Sequence, residues 1–296
     1  MRYLNFLFAF LLISCASQPE TPTQTNLISY QVSEENVSKT LSYLASDELE
    51  GRDSGSKGIE KASIYLENIL KENGIKPYFK SYRDTLTNYE KTSYNVVGYI
   101  EGTDSKLKNE FVIIGAHYDH IGKIAAVNGD DIGNGANDNA TGTTAVTEVA
   151  KYFAKYKNNK RSVLFVFFSA EEKGLLGSLY YSQNPIFPLD KTVANVNIDM
   201  VGRIDDSYKN NPNYVYVIGS DRLSSDLHRI NEEVNQRYSQ LTLDYTYNSE
   251  KDPNNYYYRS DHYNFAKNGV PAIFFFNGTH ADYHRTTDDV EKIDFD

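Results

Sequence analysis

The sequence predicts an α/β protein, a three-layer α/β/α sandwich around a mixed, mostly parallel central sheet. Three observations predict it. Short apolar runs such as Val112-Ile113-Ile114 alternate with amphipathic stretches at helical spacing, as helices covering a parallel sheet require. "RSVLFVFFSA" (161–170) is almost wholly apolar, fit for a central strand buried on both faces. Histidines and carboxylates recur just after the apolar runs, where open α/β sheets bind ligands.

Two helices open the domain. Val37, Leu41 and Leu44 keep helical spacing after Ser33, an N-cap candidate. Ile59, Ala62, Leu66, Ile69 and Leu70 form a cleaner stripe, stopped by "ENGIKP". "NVVGYIEG" and "EFVIIGA" read as adjacent strands joined by the polar "TDSKLKN", short enough to be antiparallel. A glycine-rich loop, "NGDDIGNGANDNATG", leads into a helix with Ala145, Val146, Val149, Ala150 and Phe153 on one face. After the 161–170 strand come "EEKGLLGS" and two strands, "TVANVNIDMVG" and "NYVYVIGS". A helix near 222–238, a Tyr-rich loop (245–265), the strand "VPAIFFFNG" and the loop "THADYHRTTDD" close the chain.

Residues 1–14 are predicted to be a signal peptide: Arg2 precedes an apolar run too short to span a bilayer. Leu12-Ile13-Ser14-Cys15 resembles a bacterial lipobox, which would lipidate Cys15 and hold the exported protein at the cell envelope. Residues 15–32 then form the lipidated Cys and a polar tether, and 33–296 the folded domain. Cys15 is the sole cysteine, so a disulfide within the chain and a thiolate metal site are both excluded. The formal net charge of −10 disfavours nucleic acid and anionic lipid as partners, leaving the Cys15 anchor as the predicted membrane contact. A monomer is expected.

His117 and Asp119 follow the strand at 111–116, and Asp138 stands at a helix N-terminus. Glu171 and Glu172 follow 163–168, Asp199 lies near the end of 193–200, and His284 follows 271–276. If the strands are parallel, these groups converge on one edge, where so many carboxylates need cations. Imidazole with carboxylate and without thiolate suits zinc, cobalt or manganese rather than calcium. The ligand number suggests two ions, balanced by three carboxylates and a hydroxide. Such a pair makes water a nucleophile at neutral pH.

"GAHYDH", "GANDNATG", "SAEEKGLLGS", "NIDMVGR", "RSDHYNF" and "DYHRTTDD" together resemble the di-zinc aminopeptidase family over about residues 33–296. That family includes secreted bacterial leucine aminopeptidases, with glutamate carboxypeptidase II, glutaminyl cyclase and the transferrin receptor as distant relatives. The resemblance implies a zinc exopeptidase fold holding two Zn2+, with Co2+ or Mn2+ as substitutes. His117 and Asp199 would hold one ion, Glu172 and His284 the other, and Asp138 would bridge them. Glu171 would be the general base, later the acid, and Asp119 would fix the tautomer of His117. Tyr257 resembles a tyrosine that hydrogen-bonds the reacting carbonyl. His120 and His280 match no ligand position and read as bracing or merely polar, while Asp261 and His262 would brace the site or cap a helix.

The implied activity is a metallo-exopeptidase removing N-terminal residues from peptides. A glutaminyl cyclase-like transferase with one zinc and a non-catalytic binding module are the alternatives, both disfavoured by the complete ligand set. Carboxypeptidase action stays open on fold analogy. Family members usually continue into a helix beyond the last motif. The end at "EKIDFD" therefore suggests a truncated chain or one sheet face less covered.

Overall fold

A computed structural model describes residues 32–295. The expected signal peptide, Cys15 and almost all of the tether lie outside the described residues. Helix α1 (Glu34–Leu44) starts at Ser33, whose side chain accepts from the Asn36 N–H, and buries Leu41 and Leu44. Helix α2 (Lys57–Glu72) is capped the same way by Ser56 and buries Ile59, Ala62, Leu66 and Leu70. The strands follow in order: β1 (Lys76–Pro77), β2 (Arg83–Thr85), β3 (Tyr94–Ile100), β4 (Phe111–His117), β5 (Gly122–Val127) and β6 (Asp130–Gly133). Helix α3 (Gly142–Tyr156) and strand β7 (Ser162–Phe168) precede α4 (Leu176–Gln183) and β8 (Thr192–Ile198). β9 (Tyr214–Ile218), α5 (Ser225–Val234), β10 (Thr242–Asp244), α6 (His262–Ala266) and β11 (Ala272–Phe276) complete the described chain.

The main sheet has nine strands in the order β1-β3-β7-β4-β8-β11-β9-β10, with β2 also pairing β3. β7, β4, β8 and β11 are parallel neighbours at its centre. β1 and β2 each pair antiparallel with β3, β3 opposes β7, and β9 opposes β11. β3 and β4 run in opposite directions but are not the adjacent pair expected, because β7 lies between them. All seven residues of β7 are buried. Val163, Phe165 and Phe167 join one core with α1, α2 and α3 residues such as Leu41, Leu66 and Val146. Leu164, Val166 and Phe168 join another with Tyr181 of α4 and Phe265 of α6. That alternation is the period of a strand covered on both faces, and each buried Phe contributes on the order of 1.5–3 kcal/mol. The expected three layers are therefore present.

One expected loop is a different element. Residues 122–133 form a two-stranded hairpin, with Gly122 opposite Gly133 and Val127 opposite Asp130. Asn128 (φ 54°) and Gly129 (φ 92°) turn it in the left-handed region that Asn-Gly favours. The glycine-rich loop proper shrinks to Asn134–Thr141. Among the described residues no helix is long and apolar enough to cross a membrane.

Candidate metal centre

The four parallel strands present their C-terminal ends on one edge. His117 is the last residue of β4 and Asp199 the first after β8. Glu171 and Glu172 follow β7 by a sharp bend at Ala170 (φ 57°). His284, itself at φ 56°, lies in the loop after β11, and Met200 beside Asp199 is at φ 55°. Non-glycine residues in the left-handed region cost about 1–3 kcal/mol each and cluster at functional sites. Asp138 stands in the wide turn before α3, where Asp288 accepts the backbone N–H groups of Asn137 and Asp138 at 3.1–3.2 Å. Gly135 (φ 57°) allows this turn to close: a Cβ there would overlap the Asp138 carbonyl and the His120 ring.

Two groups of ligand-type atoms result, and they share Asp138: His117, Asp138 and Asp199 in one, and His120, Asp138, Glu172 and His284 in the other. His117 Nε2 lies 3.3 Å from Asp138 Oδ1 and 3.3 Å from Asp199 Oδ1. His284 Nε2 lies 3.1 Å from Asp138 Oδ2 and 3.1 Å from Glu172 Oε2. One Asp138 oxygen therefore faces each group. Ligands at 2.0–2.1 Å from a tetrahedral zinc are separated by roughly 3.3 Å, so these spacings fit such an ion. His284 Nε2 is also buried without a hydrogen bond, despite the two carboxylates beside it. The donor chemistry and this orphaned nitrogen both fit zinc.

His120 is closer to the site than its motif position implied. Its buried ring places Nδ1 2.9 Å from Glu172 Oε1 and 3.8 Å from Asp138 Oδ2. The signal was present in "HYDH", since both histidines stand at the C-terminal end of β4. Asp119 is placed differently from the expectation. Its carboxylate is 3.7 Å from His117 Nδ1, which meets the Asp119 backbone carbonyl at 3.2 Å instead. The carboxylate oxygens accept the Glu171 N–H (3.1 Å), the Glu172 N–H (3.4 Å) and the Ser54 hydroxyl (3.1 Å). Asp119 thus braces the bend that carries both glutamates. On the opposite side Ser260 donates to Asp199 Oδ2 at 2.6 Å and accepts from Asn197 at 2.7 Å.

The carboxylates perturb one another strongly. Burial raises the Glu171 carboxyl well above its ordinary range, and Glu172, Asp199 and Asp261 add to this against the opposing charge of His117. Burial also works against ionised Asp138, but His117 and His284 outweigh it and hold that carboxyl well below its usual range. His284 is raised to about 10 by Asp138 and Glu172, against the effect of burial. A carboxylate that holds protons at both histidines without metal is a carboxylate placed to hold cations.

A narrow, open cleft adjoins the ligands, reaching His117, Asp138, Asp199 and Glu171. Met200, Tyr256, Phe274 and Phe276 give it an apolar wall, and Arg259, Thr279 and Tyr283 a polar rim. Tyr257 is not among the lining residues; its ring lies under the Arg222 guanidinium at 3.9 Å and against His262 at 5.5 Å. Its neighbour Tyr256 and the distant Tyr283 occupy the cleft instead. The Tyr283 ring stacks on His284 at 3.9 Å, and burial with the charges of Asp138 and Glu172 keeps its hydroxyl protonated. Of the other residues singled out, His262 packs on Phe274 at 4.8 Å and burial lowers it to about 3, so it is a neutral wall. Asp261 precedes α6 without a side-chain cap and is raised to about 7, chiefly by burial. His280 meets the Asn137 side chain at 3.0 Å, bracing the Asp138 turn.

Comparison with known proteins gives the family and the fold. The family model described as "Peptidase family M28" matches residues 95–296. "Leupeptin-inactivating enzyme 1" of Streptomyces exfoliatus is 28% identical over 254 residues, covering 85% of this chain and 50% of that protein. A probable leucine aminopeptidase 2 of Aspergillus oryzae is 32% identical over 192 residues, covering 64% of this chain and 34% of its own length. The chain thus spans half or less of the length of these curated relatives. Among solved structures, a zinc aminopeptidase from Bacillus subtilis has the same fold with a TM-score of 0.68 at 17% identity, covering 90% of this chain and 91% of that one. The Legionella pneumophila LapA aminopeptidase also matches at 0.68, with 21% identity and coverage of 89% and 67%.

Proposed function

The chain belongs to peptidase family M28, and on that premise we propose that it is a zinc-dependent aminopeptidase releasing N-terminal residues from peptides. The observation that carries the reading is Asp138, which offers one carboxylate oxygen to each of two ligand groups. His117, Asp138 and Asp199 would hold one zinc, and Asp138, Glu172 and His284 the other. Bound zinc would polarise the substrate carbonyl and acidify the attacking water.

The protein's own groups do the rest. Glu171 reaches the cleft without belonging to either ligand group, so it is free to take a proton from water and return it to the leaving amine. Its raised affinity for protons suits that exchange. The Tyr283 hydroxyl, protonated and on the cleft rim, is the donor suited to the carbonyl oxygen. Asp119 acts through the backbone of residues 171 and 172, keeping base and ligand pointed apart. The apolar wall of Met200, Phe274 and Phe276 suits an apolar substrate side chain.

A single-zinc transferase would need only one ligand group, and the presence of two favours the peptidase reading. The deciding assay is a panel of aminoacyl amides with N-blocked and C-amidated peptides as controls. Release from free N-termini but not from blocked ones is expected. Cleavage that needs a free C-terminus instead would overturn the reading. We propose in addition that the protein is exported and anchored through Cys15, within the "LISC" stretch. Recovery of the intact protein in a wholly soluble fraction with an unmodified N-terminus would refute the anchor.

A further inference from the structure

Arg52 lies outside the family-matched region, yet it is 1% exposed and sits beneath the metal centre. Its guanidinium is solvated by main-chain carbonyls. Nε donates to Tyr118 O at 2.9 Å, Nη1 to Asn134 O at 2.7 Å and to Leu44 O, and Nη2 to Gly135 O at 3.0 Å. The contact is returned, since the His120 N–H donates to Arg52 O at 3.3 Å. Arg52 itself is at φ 50°, in a left-handed turn begun by Glu50 and Gly51. Gly51 is needed there, because a Cβ would overlap the backbone of the 122–133 hairpin.

The four carbonyls belong to two stretches that carry ligands and to the end of α1. Tyr118 follows His117 directly, and Asn134-Gly135 lead into the turn that ends at Asp138. The separation of His117 Nε2 and Asp138 Oδ1 is the edge of one proposed zinc site. We infer that Arg52 is a positioning residue for the metal centre: it spans the His117 and Asp138 backbones and fixes the spacing of the ligands they carry. Burial lowers its pKa to about 10, with Asp119, Asp138, Asp288 and Glu172 opposing, so it remains a cation at neutral pH among the ligand carboxylates. A planar fork is required, because a lysine ammonium concentrates its donors at one point and cannot reach carbonyls on both sides.

This inference rests on the two-metal reading, and its test separates the two. Arg52→Lys is compared with wild type by circular dichroism without metal, by zinc titration against a competing chelator, and by the visible spectrum of the Co2+ form. The variant should fold, bind the ion of the His117–Asp138–Asp199 group roughly 10–100-fold less tightly, and show an altered Co2+ spectrum. In wild type, zinc loading should slow hydrogen exchange at residues 50–54 as well as 118–120, because coupling is reciprocal. A merely structural arginine would lower the melting temperature of metal-free and loaded protein alike and leave affinity and spectrum at wild-type values; that result overturns the inference. If Arg52→Lys fails to fold, unchanged exchange at 50–54 on zinc loading overturns it instead. A wild type that takes up no zinc would overturn the metal-centre reading and this inference with it.

Discussion

Replacing Asp138 by Ala removes Oδ1 from the His117–Asp199 group and Oδ2 from the Glu172–His284 group in one step. No other residue belongs to both groups. Zinc held by four protein ligands is bound with about 10–16 kcal/mol, or roughly 2.5–4 kcal/mol per ligand. At 1.4 kcal/mol per tenfold, losing one ligand weakens a site by about 10²–10³. Asp138→Ala should therefore weaken both sites by that factor, while Glu172→Ala and Asp199→Ala each weaken one. The backbone of the turn is held by Asp288 through main-chain N–H groups, which the substitution leaves intact. The assay is a stepwise zinc titration against a chromophoric chelator, with elemental analysis of the fully loaded proteins. An Asp138→Ala protein that keeps one ion at wild-type affinity would refute the bridging geometry.

Glu171→Gln should retain both ions and lower turnover by roughly 10²–10⁴, the range of a lost general base; near-normal turnover in the metal-loaded variant would remove Glu171 from that role. Tyr283→Phe should cost roughly 10²–10³ in kcat if its hydroxyl binds the carbonyl oxygen, whereas Tyr257→Phe should leave steady-state kinetics within about twofold; the reverse order would show that the cleft is assigned to the wrong tyrosine. Asp84 offers a pH test away from the metals. Burial raises its pKa from 3.8 to about 6, against a hydrogen bond from Asn95. The folded state then binds the Asp84 proton more tightly than the unfolded state, so this residue's contribution to stability falls as pH rises from about 4 to 6. The loss approaches about 3 kcal/mol. Asp84→Asn should accordingly stabilise the protein above pH 6 and change little at pH 4 in thermal melts; equal effects at both pH values would contradict it.

The site was legible where chemistry follows a strand. His117, Glu171, Glu172, Asp199 and His284 could be placed because a parallel sheet gathers whatever its strand ends carry. Asp138 could be placed because the motif around it is specific. The N-cap at Ser33, the stripe of α2 and the doubly buried β7 followed from local periodicity. What escaped depends on loops, whose side chains answer to no period. Adjacent Tyr256 and Tyr257 point to different surroundings after a left-handed residue at Asn255 (φ 54°), and sequence spacing cannot say which one enters the cleft. Asp119 is expected to partner the His117 imidazole, and its carboxylate, 3.7 Å from Nδ1, is shared with two backbone N–H groups and a serine hydroxyl that no spacing in the sequence announces. The 122–133 hairpin did leave a signal in Asn128-Gly129, masked by the surrounding glycines. Arg52 left none, because a buried arginine bound to carbonyls reads in a sequence like any surface cation.

The residues proposed to hold the metals stand at or beyond the ends of different strands and in the turn before α3, from residue 117 at the end of β4 to residue 284 beyond β11. No contiguous segment of the chain contains a complete site. Loading with metal would then be a checkpoint on the finished topology: β4 and β8 must be in register for one ion to find its donors, and β7 and β11 for the other, with the Asp138 turn common to both. An ion bound there would cross-link long-range pairings that form slowest in such a sheet, so maturation would end at the metal, and loss of a central strand would release the ion whose donors it carries.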